Sequence, residues 1–411
     1  MRLRLVCLIF CVFVLGGCGE RGAIGVARDT TTAAGAGTFA YDLQFLSKRD
    51  SILLLHNGNS AVIVSPKYQA KVFTSTADGD NGPSFGWVHY KAFNGPLDLH
   101  MNAYGGEDRL WLGPEGGRFS LFFPPGARME FANWKTPAAF DTEAWTVDSR
   151  SDSSVTLHKD MQLTNYAGTH LDLTVNRAIT ILSPPAIGSV LGLILDKSVH
   201  VVGYKTTNIL TNTSVSPWTV TTGMPCMWML DMFPPSPGTT IIIPYRQGDA
   251  SKPATTDYFG EIPADRIQFA DGILHFKADG KMRGKLGIHP ARAMDVAGSY
   301  DSVRHILTII QFDVDPGAHY LNQEWNTTKP PFSGDAVNAY NDGPLADGSQ
   351  MGPFYELESV SPAAFLKPGE SLTHNHAVFH FTGPESALDA ISRQLLGVSV
   401  LHQDSTARIQ K

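Results

Sequence analysis

The stretch Leu171-Asp-Leu-Thr-Val175 alternates apolar and polar side chains, and most of the chain is built from segments of this kind. Successive side chains of a β-strand point to opposite faces, so the alternation predicts a strand with one face in a core and one in water. Strand-like segments recur from residue 50 to residue 382, as at Ser60–Ser65, Phe119–Phe123, Val155–His158, Val199–Val202, Thr239–Ile243, Ile306–Phe312 and Ala377–Phe381. Turn signals rich in Gly, Asn and Pro separate them, which predicts an all-β, mostly antiparallel fold.

Helical spacing is confined to two short regions, residues 45–55 and residues 385–396. The strand-rich region contains no repeat of fixed period and no segment with the composition of a linker. We therefore predict one large antiparallel β-sandwich over residues 41–384, with few short helices, followed by a C-terminal helix and tail over residues 385–411.

The composition excludes two classes of protein. Of the 411 residues, 43% are hydrophobic and 17% are charged, whereas disordered chains are charge-rich and poor in apolar residues. The 32 basic and 39 acidic residues give a net charge of −7, so there is no excess of positive charge to hold a phosphate backbone. Nucleic acid is therefore not expected as a partner.

The first residues have the pattern of a secretion signal. Arg2 and Arg4 precede the apolar run Leu5–Leu15, which is shorter than the about 20 residues that a membrane-spanning helix needs. The run ends in Leu15-Gly16-Gly17-Cys18, which resembles the lipobox of bacterial lipoproteins. In that family the cysteine becomes the lipidated first residue of the mature chain, and an ordinary signal peptide cut nearby is the alternative.

On this interpretation, residues 1–17 are a signal peptide, Cys18 carries lipid, and residues 18–40 form a flexible tether. We expect a protein anchored in the bacterial envelope, and the Gly at position 19 favours the outer membrane by resemblance to other lipoproteins. Cys226 then has no intramolecular partner, and its apolar neighbours predict a buried free thiol.

Three motifs carry a resemblance to a known family. They are Tyr104-Gly-Gly-Glu-Asp-Arg-Leu-Trp-Leu-Gly-Pro-Glu-Gly-Gly117, Lys285-Leu-Gly-Ile-His-Pro-Ala-Arg-Ala293, and Asn338-Ala-Tyr-Asn-Asp-Gly-Pro344 with Phe354-Tyr-Glu-Leu-Glu358 behind it. Together they resemble a family of uncharacterised bacterial lipoproteins in the galactose-mutarotase-like (aldose 1-epimerase-like) superfamily. The resemblance covers most of residues 45–383 and implies a β-supersandwich whose concave face binds carbohydrate. The segment Asn208–Ser214, where the catalytic histidine of epimerases is expected, contains no His.

Glu356 and Glu358 are the first candidate catalytic residues. They alternate with Tyr355 and Leu357, so both carboxylates share one face of a strand. Two neighbouring carboxylates raise the pKa of one of them, which suits general acid–base work near neutral pH. In the epimerase-like superfamily a Glu near the C-terminus takes the proton of the anomeric hydroxyl, and these two residues resemble it in location. The alternative is an ordinary solvated strand face.

Three histidines, His374, His376 and His380, also share a face of one strand. Because consecutive strands are usually neighbours, we expect that strand to lie near the glutamate pair. Imidazole transfers protons near neutral pH, so His374 is the candidate acid. The alternative is a structural role in the sheet for each histidine.

The segment after Gly105-Gly106 combines two acids, a guanidinium and an indole. Charged side chains bind neighbouring hydroxyls and an aromatic face stacks on the apolar side of a sugar ring. We therefore predict substrate-binding roles for Glu107, Asp108, Arg109 and Trp111, and for Glu115 in the turn that follows. An internal ion pair that holds the loop is the alternative for Arg109, and a plain turn residue the alternative for Glu115.

Amides and aromatics concentrate again in two later loops. Trp325, Tyr340 and Asn341 are candidate sugar-binding residues there, with anchoring of their own loops as the alternative. The oxygen-bearing side chains of these loops suit Ca²⁺ but lack the spacing of a known calcium loop, so no metal site or other cofactor is predicted and Ca²⁺ stays an alternative.

The sequence thus predicts an envelope lipoprotein that recognises a carbohydrate in a concave β-sandwich cleft. If it is an enzyme, we expect epimerase-like acid–base chemistry at an anomeric centre. A non-catalytic glycan-binding or scaffolding lipoprotein is the first alternative, and lyase or hydrolase chemistry on a polysaccharide is the second.

Overall fold

Two facing antiparallel β-sheets form the body of the molecule. The structure is a computed structural model, and it describes residues 35–248 and 252–401. The predicted signal peptide, Cys18, most of the predicted tether and the last ten residues lie outside the described residues.

The strands of the described residues follow one another through the whole chain. In chain order they are β1 (Leu53–Asn57), β2 (Ser60–Ser65), β3 (Lys71–Thr76), β4 (Arg109–Gly113), β5 (Thr146–Arg150), β6 (Ser154–Thr164), β7 (His170–Ile181), β8 (His200–Asn212), β9 (Cys226–Phe233), β10 (Thr239–Pro244), β11 (Ile267–Ala270), β12 (Ile273–Lys277), β13 (Gly284–Ile288), β14 (Val296–Asp301), β15 (Ile306–Phe312), β16 (Val337–Asn341), β17 (Tyr355–Val360) and β18 (Ser371–Thr382). Three α-helices accompany them in the described part: α1 (Phe39–Ser47), α2 (Pro184–Leu191) and α3 (Glu385–Leu395). None of these helices has the length and apolar character needed to cross a bilayer.

The strands pair into three sheets. A ten-stranded sheet has the order β11-β12-β10-β14-β15-β18-β8-β7-β6-β5, a five-stranded sheet has the order β13-β16-β17-β9-β4, and β1-β2-β3 form a small third sheet. Every pairing between these strands is antiparallel. The predicted antiparallel, mostly β architecture is confirmed.

The main core lies between the ten-stranded and five-stranded sheets. Alternate residues of each strand point into it, among them Leu110, Met229 and Leu357 from the smaller sheet and Val175, Tyr204 and Val378 from the larger one. Helices α2 and α3 cover the other face of the ten-stranded sheet, where Ile187, Leu388 and Ile391 pack against Val201 and Phe379. The C-terminal helix therefore packs onto the sandwich. Cys226 is fully buried and free, as predicted, and burial raises the pKa of its thiol to about 12.

Two local predictions are wrong. Residues 119–123 form buried turns instead of a strand, because the Ser120 hydroxyl accepts a hydrogen bond from the Phe122 N–H and donates to the Glu115 carbonyl. Helix α1 ends at Ser47, and the segment with helical spacing continues into strand β1. Helix α2, which the spacing did not predict, begins after the N-cap Ser183 and ends at the left-handed Gly192.

Candidate functional site

The five-stranded sheet carries a polar cluster on the face that points away from the core. Leu357 and Ser359 of β17 point toward the ten-stranded sheet, so Glu356 and Glu358 point the other way. Their register partners on that face are Met232 and Tyr340 for Glu356, and Leu230 and Asn338 for Glu358. We call this the distal face. Its charged and aromatic side chains include Arg109 and Trp111 of β4, Trp228 of β9, Lys285 of β13, Tyr340 of β16, and Glu356 and Glu358 of β17.

Two ion pairs lie side by side on the distal face. Arg109 Nη2 donates to Glu356 Oε1 at 2.6 Å, and Lys285 Nζ donates to Glu358 Oε2 at 2.9 Å. The four residues are only 5%, 7%, 7% and 0% exposed for Arg109, Lys285, Glu356 and Glu358 respectively. Since buried charges are stable only when paired and hydrogen-bonded, each carboxylate depends on its cation.

Glu356 is the carboxyl group of this cluster that titrates near neutrality. Burial, reinforced by the neighbouring Glu358, raises its pKa to about 7, although Arg109 and Lys285 act in the opposite direction. Burial alone would lower the pKa of Lys285, but the negative charges of Glu358 and Glu115 raise it above its usual value. The cluster thus combines a carboxyl that exchanges a proton near pH 7 with an amine that carries a proton at that pH.

Two indoles adjoin the ion pairs. Trp111 and Trp228 meet edge to face with ring centroids 5.8 Å apart, the Arg109 guanidinium carbon lies 5.0 Å from the Trp111 ring centroid, and Lys285 Nζ lies 4.5 Å from that of Trp228. Trp228 Nε1 also donates to Glu358 Oε2 at 2.8 Å. The contacts of Arg109 and Lys285 with the indole rings, and the hydrogen bond from Trp228 to Glu358, hold these charged side chains in fixed positions.

Three buried polar atoms of the distal face have no hydrogen-bond partner among the described residues. They are Arg109 Nε, Trp111 Nε1 and Glu358 Oε1. Buried polar atoms of native proteins are almost always hydrogen-bonded, so each unpaired one calls for a water or a ligand. Two donors and one acceptor are therefore available at the cluster.

Glu115 and Trp325 form the more exposed edge of the distal face. Both side chains are partly buried, and Glu115 is close enough to Lys285 and Glu358 to interact with their charges. Burial raises the pKa of Glu115, and a hydrogen bond with Trp325 opposes that shift. The ring of Trp325 stacks on that of Trp134, with ring centroids 6.0 Å apart.

The structure does not bring His374 to the glutamate pair. Strands β17 and β18 belong to different sheets, so the expectation that they are neighbours is wrong: the chain crosses the sandwich between them. The His374 ring lies in the core, where its Nε2 is 2.9 Å from Ser359 Oγ, and burial lowers its pKa to about 3. It remains neutral behind β17, on the side opposite to Glu356.

His376 and His380 belong to the same interior network. His376 Nε2 lies 2.8 Å from Asp231 Oδ2, and burial raises the pKa of Asp231 to about 7. Burial lowers the pKa of His376, but the charge and the hydrogen bond of Asp231 together with the charge of Asp108 outweigh burial, so that pKa is raised. His380 Nε2 lies 3.0 Å from Glu107 Oε1.

Three further candidates hold the fold together instead of lining the distal face. Glu107 accepts a hydrogen bond from Ser75 Oγ at 2.6 Å, and Asp108 forms a fully buried ion pair with Arg177 at 2.9 Å. Asn341 accepts from the Gly280 N–H and donates to the Met282 carbonyl. Tyr340 lies on the distal face, where its hydroxyl donates to Asp342 Oδ1 at 3.0 Å.

Sequence reasoning missed Lys285, Trp228 and Lys71. Lys285 alternates with Leu286 along a strand, which could have placed it on a polar face, whereas Trp228 lies in an apolar run typical of a core. Lys71 is nearly fully buried, and burial, reinforced by Arg109, places its pKa well below the usual value. No group of three or more His, Cys, Asp or Glu side chains in residues 35–248 and 252–401 is placed to hold a metal ion.

The raised pKa of Glu356 predicts a pH-dependent stability. Between pH 4.5, the usual pKa, and about pH 7, Glu356 keeps a proton in the folded protein that it loses in the unfolded chain, so its contribution to the free energy of unfolding falls as the pH rises through that window and is flat above it. The lowered pKa of His374 acts in the opposite direction, so the contribution of Glu356, on the order of 1–3 kcal/mol, is measured as the difference between wild type and Glu356→Gln in denaturant unfolding at a series of pH values.

Glu356→Gln should remove this contribution to the slope, while the contributions of Asp231, Asp335 and His374 remain in both proteins. The matched control, Glu130→Gln, changes an exposed carboxyl and should keep the wild-type slope. A Glu356→Gln protein with the full wild-type slope would show that Glu356 does not titrate in this window.

The chain belongs to a family of unknown function, DUF6786, whose model matches residues 37–406. No curated protein matches the sequence.

Solved structures similar to this chain include three bacterial proteins. An aldose 1-epimerase-like protein of Escherichia coli K12 is 14% identical with a TM-score of 0.48, over 80% of this chain and 98% of that one. The Slr1438 protein of Synechocystis sp. PCC 6803 is 13% identical with a TM-score of 0.48, over 82% and 97% of the two chains. A galactose mutarotase-like protein of Lactobacillus casei ATCC 334 is 12% identical with a TM-score of 0.47, over 80% and 100%. At these identities the likeness concerns overall architecture.

Proposed function

We propose that this member of the family of unknown function binds a carbohydrate on the distal face and transfers protons at its anomeric centre, with Glu356 as the acid–base group. The observation that carries the proposal is the set of unpaired buried atoms, Arg109 Nε, Trp111 Nε1 and Glu358 Oε1, beside a carboxyl whose pKa is raised to about 7.

A sugar ring can form hydrogen bonds with the buried polar atoms of this face that have no partner in the described part of the chain. Its hydroxyl groups both donate and accept, so they can accept from the Arg109 and Trp111 N–H groups and donate to Glu358. The indole of Trp325, which is partly exposed at the edge of the face, supplies apolar surface for the C–H side of the ring. Glu115 and Trp325 lie at the more exposed edge, from which a ligand would approach.

Opening a cyclic sugar needs two proton transfers. The ionised Glu356 takes the proton of the anomeric hydroxyl, the bond from the anomeric carbon to the ring oxygen breaks, and the ring oxygen receives a proton. Lys285 is the cation of the cluster that can give up a proton, since a guanidinium does not. Closing the ring on the other face of the carbonyl returns both protons and exchanges the anomers.

Glycan binding without turnover is the second candidate function. The closed ion pairs support it, because both carboxylates are already held by Arg109 and Lys285 and are almost inaccessible to solvent. The two candidates share the ligand and differ in whether Glu356 exchanges a proton with it.

Substitution of Glu356 separates the two functions. A carbohydrate found by thermal-shift screening at about 100 times its dissociation constant should stabilise the wild type by about 2.7 kcal/mol. Glu356→Gln should bind it within a few-fold of wild type yet lose about 10²–10⁴-fold in anomeric exchange, measured by NMR exchange spectroscopy.

Arg109→Lys should weaken binding about tenfold or more, because lysine lacks the planar fork of donors. The matched control, Arg128→Lys at an exposed position, should leave binding unchanged. Full turnover in Glu356→Gln would refute the catalytic assignment. Wild-type binding without any anomeric exchange would establish the second candidate function.

We further propose that the chain is a lipoprotein of the bacterial envelope, anchored in the outer membrane through Cys18. The support is the sequence Leu15-Gly16-Gly17-Cys18 after an apolar run. In bacteria that express the full chain and are fed an alkyne-labelled fatty acid, the wild type should be labelled and Cys18→Ser should not. Cys226→Ser, which changes the buried thiol, should keep the label. Equal labelling of Cys18→Ser and wild type would exclude this anchor.

A further inference from the structure

A cavity of about 980 Å³ opens beside the distal face, at the end of the sandwich where α1 packs. Its wall includes Asp42 of α1, the loop residues Trp87 and His89, Arg304 before β15, and Pro353 before β17. The volume is that of a pocket for an organic ligand. None of the interactions of the distal face described above uses it.

The cavity adjoins the Glu356 site through a short row of aromatic rings. Tyr340, the register partner of Glu356, has its ring centroid 5.6 Å from that of Phe354, and Phe354 lies 4.6 Å from Trp87. The backbone N–H of Trp87 donates a hydrogen bond, 2.9 Å long, to the backbone carbonyl of Met232, which is the other register partner of Glu356. Trp87 therefore borders the cavity and is also fixed to the strand beside Glu356.

The polar groups of the cavity wall suit hydroxyl groups. His89 Nδ1 donates to the Ala103 carbonyl at 2.9 Å, which leaves Nε2 without a partner among the described residues. Asp42 is buried and has no basic partner among the described residues. Its carboxylate accepts a hydrogen bond from the Tyr90 hydroxyl, and burial raises its pKa. Lys91 adds a donor with no ion-pair partner among residues 35–248 and 252–401. Donors and acceptors of mixed charge on a mostly apolar wall favour a neutral polyhydroxylated ligand over an anion.

We propose that this cavity is a second sugar subsite, so that the ligand of the distal face is an oligosaccharide of three or more units. The proposal rests on the proposed function, and it adds the substrate class: one unit lies at Glu356, the next crosses the Trp87–Phe354 pair, and a third lies against His89, Asp42 and Lys91.

The test compares sugars of increasing length by isothermal titration calorimetry. The probes are glucose, maltose and maltotriose, and galactose, galactobiose and galactotriose. In the wild type, the trisaccharide of one series should bind at least tenfold more tightly than its monosaccharide. His89→Ala should remove that gain and leave the dissociation constant of the monosaccharide unchanged.

Two further variants keep the result interpretable. Met351→Trp narrows the cavity from a partly exposed position on its wall and should also remove the gain, whereas Lys197→Ala, at an exposed position that is not part of the cavity wall, should not. Equal affinity for mono- and oligosaccharides in the wild type, or a gain that survives both His89→Ala and Met351→Trp, would overturn the subsite.

The failure of the proposed function looks different. Oligosaccharide binding that is lost in His89→Ala but unaffected by Arg109→Lys would keep the cavity and refute the distal-face site. Binding of none of the six sugars by the wild type would overturn the subsite for these hexose series.

Discussion

The distal face depends on one buried cation, Arg177. Its guanidinium is fully buried in the ten-stranded sheet, where it pairs with Asp108 Oδ1 at 2.9 Å and donates to Asn208 Oδ1 at 2.8 Å and to the Ala70 carbonyl at 3.1 Å. Asp108 immediately precedes Arg109, which pairs with Glu356, and Ala70 immediately precedes the buried Lys71. Breaking a buried pair by removal of one partner costs about 3–5 kcal/mol, so this contact fixes the position of β4 against the larger sheet.

Gly105 and Gly106, just before β4, have backbone conformations that favour glycine. Gly105 and Gly106 have φ values of +83° and +133°, and a Cβ on Gly106 would lie 2.8 Å from Lys71 Cδ and 3.1 Å from Arg109 Cγ. A side chain at either position would therefore be strained; at Gly106 it would also displace Lys71 or Arg109, and at Gly105 it would meet the Trp87 carbonyl. The carbonyl of Gly105 also accepts the hydrogen bond of Lys71 Nζ at 2.8 Å. The Gly-Gly pair thus leaves room for the buried side chains of Lys71 and Arg109 beside the backbone.

Local alternation was sufficient to predict many of the strands and the shared face of Glu356 and Glu358, because these follow from the period of two in a strand. Arg109 and Trp111 were selected by residue type beside the Gly-Gly turn. Local alternation could not show which face of a strand meets the core. Asp108, Glu107 and Asn341 therefore looked like ligand-binding residues, although tertiary contacts commit them to the interior. The position of His374 could not be predicted either. Strands β17 and β18 are consecutive in sequence but belong to different sheets, and only long-range strand pairing determines the sheet to which a strand belongs.

The most direct test of a ligand site on the distal face uses the methionines of β9 as probes. Met232 packs with Tyr340 and Phe354 beside Glu356, whereas Met227 and Met229 of the same strand point into the core between the sheets. In a protein labelled with ¹³C-methyl methionine, titration with a carbohydrate that stabilises the fold should shift the Met232 methyl resonance and leave those of Met227 and Met229 in place. A stabilising carbohydrate that leaves Met232 unchanged would show that it binds elsewhere and would contradict this account of the site.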